Sequence, residues 1–300
     1  MKLKKIKKKN INSPFISDKI LQSISSLNNN KNYQIKIKDC IFDIHLFFDQ
    51  GINIQIFIQY LCKYLQLLIS LVYHSIIIKN FEINYYFTNH KKLLSDNYKK
   101  PHLLTKDEIN SGSCDPTDFN KKIIHIWRIE DVLKTTLHEC IHALELDTCK
   151  DNFDIINHYQ QKYNISSNII NTNEAYTEII ANLLNCFLIS QNFNKKKKYK
   201  KFLKLIHLEK EFCHYQSHKI FHLSNINDHK FYEIDINKNT NVLSYFIIRN
   251  ELFQKLSLFL KFCRLNNTNY LLINTNLWFN YLKKNITLKK NNQKFKNKNN

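Results

Sequence analysis

Apolar and polar residues alternate in three short stretches of the N-terminal half of the chain. In residues 33–37, 42–46 and 81–87 every second side chain is apolar, which is the pattern of a strand with one buried face. Residues 53–75 carry apolar side chains at helical spacing, and residues 121–128 have the pattern of a further strand. These elements predict a mixed sheet with a backing helix.

The second half of the chain has the spacing of helices. The predicted helices are 172–190, 200–222, 241–264 and 270–284. Between the two halves, residues 94–120 contain Pro and Gly and are predicted to form a loop, and the lysine run 195–201 is predicted to be an exposed junction.

The predicted fold class is therefore α+β, with strands first and helices afterwards. Its predicted parts are a disordered basic tail at 1–12, an N-terminal lobe at 13–150, a mainly helical C-terminal lobe at 151–284 and a second disordered basic tail at 285–300. Three hundred residues are enough for one large domain or for two closely packed lobes.

Candidate chemistry lies in the segment 123–146, which contains no Gly or Pro and includes His138-Glu139-x-x-His142. Residues four apart on a helix differ by about 40° in azimuth and about 6 Å in rise. Two imidazoles on one face can therefore bind a single Zn²⁺, and Glu139 can reach a water at the metal without being a ligand. This arrangement is typical of a zinc hydrolase.

Two histidines need a third protein ligand, and the helix predicted at 172–190 offers two carboxylates. Glu174 and Glu178 are four residues apart and share one face, while apolar side chains cover the other. One carboxylate can bind the metal while the other accepts the N–H of a ligating histidine.

The two motifs together, His-Glu-x-x-His and then Asn-Glu-x-x-x-Glu, resemble those of the gluzincin zinc metallopeptidases, the thermolysin-like and M1 aminopeptidase-like enzymes. The resemblance implies one Zn²⁺ per chain, held by His138, His142 and Glu174. It implies Glu139 as the general base and Glu178 as the partner of a ligating histidine. The 31 residues between His142 and Glu174 are a longer insert than in the best-known gluzincins.

The same resemblance implies a zincin-like fold, in which the substrate lies antiparallel to an edge strand over the metal. Residues 109–112 or 121–127 would supply that edge, because an extended peptide can add to a sheet through its backbone. More loosely, residues 109–112, 126–131 and 240–249 resemble metallopeptidase-like proteins of giant DNA viruses. The composition, rich in Lys, Asn and Ile, fits the AT-rich coding sequence of a virus or a protist.

Gluzincins also have a Tyr or His late in the chain that faces the metal. Tyr245 is the candidate here for the hydrogen-bond donor to the oxyanion, and His214 and His218 are its rivals. Arg249 follows one helical turn after Tyr245 and could bind a substrate carboxylate or carbonyl.

The residues that follow His142 do not match the motif of the competing class of zinc peptidases, the metzincins. Metzincins need a Gly three positions after the second histidine and a metal ligand three positions further on. Glu145 and Thr148 occupy those positions, and Asp147 is one residue out of register. Metzincins also need a methionine turn beneath the metal, whereas the only methionine is Met1.

The net charge of +20 suggests contact with nucleic acids or anionic surfaces, and much of it comes from three lysine runs. Lysine-rich tails give nonspecific, salt-dependent attraction. The chain has only three arginines and no helix-turn-helix, RNP-like or Cys/His finger pattern. We therefore predict no specific nucleic-acid partner.

Eight cysteines without a Cys-x-x-Cys pair favour reduced, buried thiols, and the N-terminus has no apolar signal region. These features predict an intracellular, cytoplasmic protein, either in the host cytoplasm or in the virion if the chain is viral. Residues 52–78 are interrupted by polar side chains, which favours a core helix over a membrane span. His207, His214, His218 and His222 allow a second metal site, although exposed histidines on a helix are the favoured interpretation.

The sequence thus predicts a zinc metallopeptidase whose substrate is a peptide or protein. The alternatives are a catalytically inactive zincin-fold protein, a basic nucleic-acid-binding protein, and a structural zinc protein. An inactive zincin usually loses the general base, whereas Glu139 is present. A structural site usually has four protein ligands, typically cysteines, and none are suitably spaced.

Overall fold

The computed structural model describes residues 11–285 except 12, 50, 76–78, 95–101, 116–120, 225–239, 268 and 270. The predicted basic tails lie outside the described residues apart from Ile11 and Asn285. The sheet consists of β1 (Asn29–Ile37), β2 (Cys40–Phe48), β3 (Asn80–Thr88), β4 (Gly112–Asp115) and β5 (Lys122–Arg128). The α-helices in the described part are α1 (Asp18–Ser26), α2 (Ile54–Val72), α3 (Lys106–Ile109), α4 (Val132–Ala143), α5 (Phe153–Tyr163), α6 (Thr172–Ser190), α7 (Lys195–Leu223), α8 (Arg249–Gln254), α9 (Leu256–Asn266) and α10 (Thr275–Asn285).

The sheet is mixed, as predicted, with the strand order β1-β2-β3-β5-β4. The β1–β2 and β4–β5 pairs are antiparallel, and the β2–β3 and β3–β5 pairs are parallel. Because β5 lies between β3 and β4, the expectation that residues 121–127 form an edge is wrong. The edge strands are β1 and β4, and β4, which starts at Gly112, is the edge next to β5.

Helices cover both faces of the sheet. On one face, Ile20 and Ile24 of α1 form a small cluster with Tyr86 and Trp127. On the other face, α2 and α4 pack in the main core, to which α6, α8 and α9 also contribute. This core contains residues from both sides of residue 150, and β3 is buried along almost its whole length. The described fold is α+β.

The helix α2 begins where the Asn53 side chain accepts a hydrogen bond from the Ile56 N–H, at 3.1 Å. Leu61, Leu68 and Val72 of this helix are buried in the core. By length and composition alone, α2 is also long and apolar enough to cross a membrane, which is weak evidence for a span.

Several elements differ from the sequence-based expectation. The segment 94–120, predicted to be a loop, contains α3 and β4. Each has only four residues, which is too few for a recognisable repeat of apolar side chains. The lysine run 195–201 forms the first turns of α7, because lysine is a good helix former even without an apolar stripe. The helix predicted at 241–264 is broken into a π-helical turn (Leu243–Ile248), α8 and α9, with Lys255 between the last two.

Candidate metal centre

The helix α4 presents His138 and His142 on one face. Leu137 and Ile141 on the same helix are completely or almost completely buried, so packing fixes the rotation of α4 about its axis. That rotation directs both imidazoles away from the apolar core towards α6. The i, i+4 relation predicted from the sequence is confirmed, because the two rings lie edge to face with centroids 4.7 Å apart.

The turn that ends α4 brings a further acidic residue to the site, besides the glutamates of the two motifs. Glu145 has a left-handed backbone, with φ at 56°, and its N–H donates to the His142 carbonyl while the Leu146 N–H donates to the Ile141 carbonyl. This is a Schellman-type helix end with a non-glycine residue at the left-handed position. It reverses the chain so that Asp147 Oδ2 lies 2.7 Å from His142 Nδ1.

The helix α6 is positioned through its first turn. The Thr172 N–H donates to Asp151 Oδ2 at 3.0 Å, and the Thr172 hydroxyl donates to Asp151 Oδ1. Asp151 therefore satisfies a free N–H group at the start of α6 from 21 residues upstream. The long insert between the two motifs contains α5 and returns the chain to this anchor, which places Glu174 opposite the two histidines.

Three ligand-type atoms converge between α4 and α6. His138 Nε2 and His142 Nε2 are 3.0 Å apart, and Glu174 Oε2 lies 3.4 Å from the first and 3.3 Å from the second. Glu174 Oε2 is buried and has no hydrogen-bond partner within the described part of the chain. This cluster of His138, His142 and Glu174 can hold a metal ion.

The second ring nitrogen of each histidine is held by a carboxylate. His138 Nδ1 donates to Glu178 Oε2 at 2.9 Å, and His142 Nδ1 donates to Asp147. In the neutral ring the proton is on Nδ1, so each Nε2 directs its lone pair towards the other two ligand atoms. Burial favours the neutral imidazole, but Asp147 and Glu174 raise the pKa of His142 well above its ordinary value. A metal therefore has to displace a proton here.

Glu178 is held more firmly than the sequence suggests. Besides His138, its carboxylate accepts from Lys134 Nζ at 2.9 Å and from Arg249 Nη1 at 2.7 Å. Burial opposes ionisation, yet Lys134, His138 and Arg249 hold the pKa of Glu178 well below its ordinary value. The predicted position of Glu178 behind a histidine agrees with this geometry.

Glu139 is buried beside the three ligand atoms and is not one of them. Burial raises the pKa of its carboxyl above the ordinary value, against the opposing effect of the two histidines. Gly112 of β4 faces Glu139 so closely that an added Cβ would lie 2.7 Å from Glu139 Oε1. A side chain at position 112 would therefore displace the Glu139 carboxyl and crowd the Thr135 methyl group, which the added Cβ would approach to 2.9 Å.

Tyr245 lies in the π-helical turn, with its ring 5.9 Å from that of His138. Burial and the nearby Glu174 and Glu139 carboxyls raise the pKa of the Tyr245 phenol well above its ordinary value, so the phenol keeps its proton. Single π-helical turns are frequent at functional sites. His214 and His218 are exposed on α7 with their Nε2 atoms 3.2 Å apart, and neither belongs to the metal cluster.

A cleft of about 540 Å³ opens beside the cluster. Its walls come from residues 108–112, α4, α6, α7 and the π-helical turn, and both Tyr245 and Arg249 line it. Arg249 is buried and paired with Glu178. Its predicted role in binding substrate stays a prediction.

Sequence reasoning missed Asp147, Lys134 and Gly112. Asp147 is one residue away from the position of a metzincin metal ligand. It follows His142 by five residues, which is close enough in sequence for its carboxylate to accept a hydrogen bond from the His142 ring. The signal for Lys134 is its place one turn before His138. For Gly112 the signal is the scarcity of glycine, since the chain has only two.

Replacing Asp147 with asparagine should lower metal affinity by roughly 10–100-fold, because the His142 ring loses the carboxylate that orients it. Competition with a chromophoric chelator measures this affinity. Asp154→Asn, at an exposed position of α5, is the matched control, and we expect no change there. Equal affinities of Asp147→Asn and the unmodified protein would show that Asp147 does not support the site.

No protein-family model, no curated protein and no solved structure matches this chain.

Proposed function

We propose that this chain is a zinc-dependent metallopeptidase of the gluzincin type, with a zincin-like fold, that hydrolyses peptide bonds. The observation that carries the proposal is the convergence of His138 Nε2, His142 Nε2 and Glu174 Oε2, next to the buried carboxyl of Glu139. A ligand set of two histidines and one glutamate, with a fourth position left for water or substrate, is typical of catalytic zinc sites.

The spacing of the ligand atoms fits a tetrahedral zinc ion. Ligands about 2.0–2.1 Å from one tetrahedral ion lie about 3.3 Å from each other, and the three separations here are 3.0, 3.3 and 3.4 Å. When bound, zinc supplies a Lewis acid that polarises the scissile carbonyl and lowers the pKa of a water to about 7.

Glu139 acts as the general base in this proposal. Its carboxylate takes the proton from the attacking water and passes it to the leaving amine. The raised pKa of Glu139 favours this role, because a carboxyl whose pKa lies closer to neutrality releases the proton and takes it up with comparable ease. Glu178 and Asp147 keep the two imidazoles in place throughout.

The substrate is a peptide or a protein segment in extended form. Because β4 is at the edge of the sheet and starts at Gly112, next to Glu139, a peptide aligned with β4 passes over the ligand cluster. Backbone hydrogen bonds to the edge strand would hold the peptide with little dependence on its sequence. Selectivity then has to come from side-chain contacts in the cleft.

Tyr245→Phe should lower kcat by roughly 10²–10³-fold and leave KM almost unchanged, because the phenol donates to the oxyanion mainly in the transition state. Steady-state kinetics on a cleaved peptide measures both constants. Tyr215→Phe, at an exposed position on α7, is the control. An unchanged kcat for Tyr245→Phe would remove Tyr245 from the mechanism, and the donor would have to come from elsewhere in the cleft, because His214 and His218 are exposed and are not among its lining residues.

Two measurements on the purified protein test the proposed function. Elemental analysis should find close to one zinc per chain, and a peptide library should be cleaved in a reaction that a chelator stops and added zinc restores. Zinc binding without cleavage of any peptide would favour the inactive zincin-fold alternative. Absence of zinc together with strongly salt-dependent binding to nucleic acid would favour the nucleic-acid-binding alternative.

A further inference from the structure

The cleft continues behind His138 into a recess with hydrogen-bonding walls. Lys134, Glu178, Asn182, Glu209 and Arg249 all line the cleft, and we call this set the polar recess. Glu178 links it to the metal cluster, because one of its oxygens accepts from His138 Nδ1 and the other from Arg249. The recess therefore begins one residue away from a metal ligand.

Two donors in the polar recess have no hydrogen-bond partner within the part of the chain that the structure describes. Asn182 Nδ2 and Arg249 Nε are buried without a hydrogen-bond partner among the described residues, and the two residues are only 5% and 6% exposed. Folded proteins satisfy most buried donors, so two in one recess need an explanation. A ligand that offers an acceptor to both would satisfy them.

The charges of the recess disfavour a charged ligand. Lys134 and Arg249 both pair with the single carboxylate of Glu178, and with Glu209 the recess holds two cations and two carboxyls, so its formal charges balance. Glu209 on α7 is the other carboxyl of the recess, and burial raises its pKa above the ordinary value while Arg249 opposes that shift. The recess therefore combines unsatisfied donors with a carboxyl that can accept, and the group that complements both is a neutral amide.

We infer that the polar recess binds the substrate side chain next to the scissile bond and selects glutamine or asparagine over apolar residues. The amide oxygen accepts from Asn182 Nδ2 and Arg249 Nε, and the amide NH₂ donates to Glu209. This inference rests on the proposed peptidase function. Discrimination follows because an apolar side chain would leave the recess groups unpaired, and sites built to hydrogen-bond a substrate reject analogues that lack the group.

Two assays test the recess with the zinc-loaded protein. In a peptide library randomised on both sides of the scissile bond, kcat/KM should be roughly 10-fold or more higher with Gln or Asn than with Leu or Met at one flanking position. In calorimetry with the Glu139→Gln variant, which should bind peptides without cleaving them, the Gln peptide should bind at least about 10-fold more tightly than the matched Leu peptide.

Substitutions at position 182 then assign the preference to the recess. Asn182→Leu should abolish the Gln preference, and Asn182→Asp, which keeps the shape of the side chain and removes its donor, should do the same if the leucine variant does not fold. Asn192→Leu, the same change at an exposed position outside this cleft, should retain the preference.

Chelator-sensitive cleavage with an apolar, acidic or basic preference would overturn the amide assignment and leave the peptidase proposal intact. Equal binding of Gln and Leu peptides would overturn it as well. If no peptide is cleaved and none binds, both proposals fail.

Discussion

Glu139→Gln should abolish peptide hydrolysis while zinc content stays near one per chain. The amide keeps the shape of the side chain but cannot accept a proton, so the loss should appear in kcat and amount to roughly 10²–10⁴-fold, as for other general bases. Metal binding should survive because the Glu139 carboxylate is outside the set of ligand atoms.

The measurements are kcat on a cleaved library peptide and zinc by elemental analysis of the same sample. Glu211→Gln, the same substitution at an exposed position on α7, is the control and should be fully active. If Glu139→Gln retained its kcat, another group would have to be the base. If it lost zinc together with activity, Glu139 would act on the metal rather than on the proton.

His142→Ala should remove the metal and the activity together. Only His138 and Glu174 would remain as protein ligands, and the loss of one ligand from such a site should weaken zinc binding by more than about 100-fold. The buried Asp147 carboxylate would also lose the ring that it holds and keep only the hydrogen bonds from Thr177 and Asn173, so thermal stability should fall as well. Zinc content, Kd from chelator competition and a melting curve separate these effects.

His214→Ala on α7 is the matched control, and it should keep one zinc per chain because His214 is outside the cluster. If the unmodified protein held two zinc ions per chain and His214→Ala held only one, that loss would support a second metal site on α7. Full zinc content in His142→Ala would refute the site. Unchanged zinc affinity in Glu174→Ala would refute only the assignment of Glu174 as the third ligand.

The sequence predicts well the strands and helices in which apolar residues recur at a regular spacing. The segments expected as β1, β2, β3, β5, α2 and α6 agree with the structure to within a few residues, because alternation and helical spacing are local consequences of backbone geometry. The elements that sequence reasoning missed are α1, α3, α5 and β4, and with 9, 4, 11 and 4 residues they are all shorter than α2 and α6, which have 19 residues each. The break after α8 carries no sequence signal, because no Gly or Pro marks Lys255.

The sequence by itself determined the content of the candidate site. Helical geometry relates residues four apart whatever the rest of the chain does, so the sequence alone is enough to pair His138 with His142 and Glu174 with Glu178. The chemistry expected of a site with these ligands and this base follows from residue types, and these do not depend on the fold.

Only the tertiary structure decided how the two helices meet and what surrounds them. The left-handed turn at Glu145 brings Asp147 to His142, and Asp151 anchors α6 so that Glu174 faces both histidines. Contacts such as Gly112 against Glu139 and Arg249 against Glu178 join residues far apart in the chain. They form because the whole core packs at once, and no local pattern records which distant side chains that packing brings together.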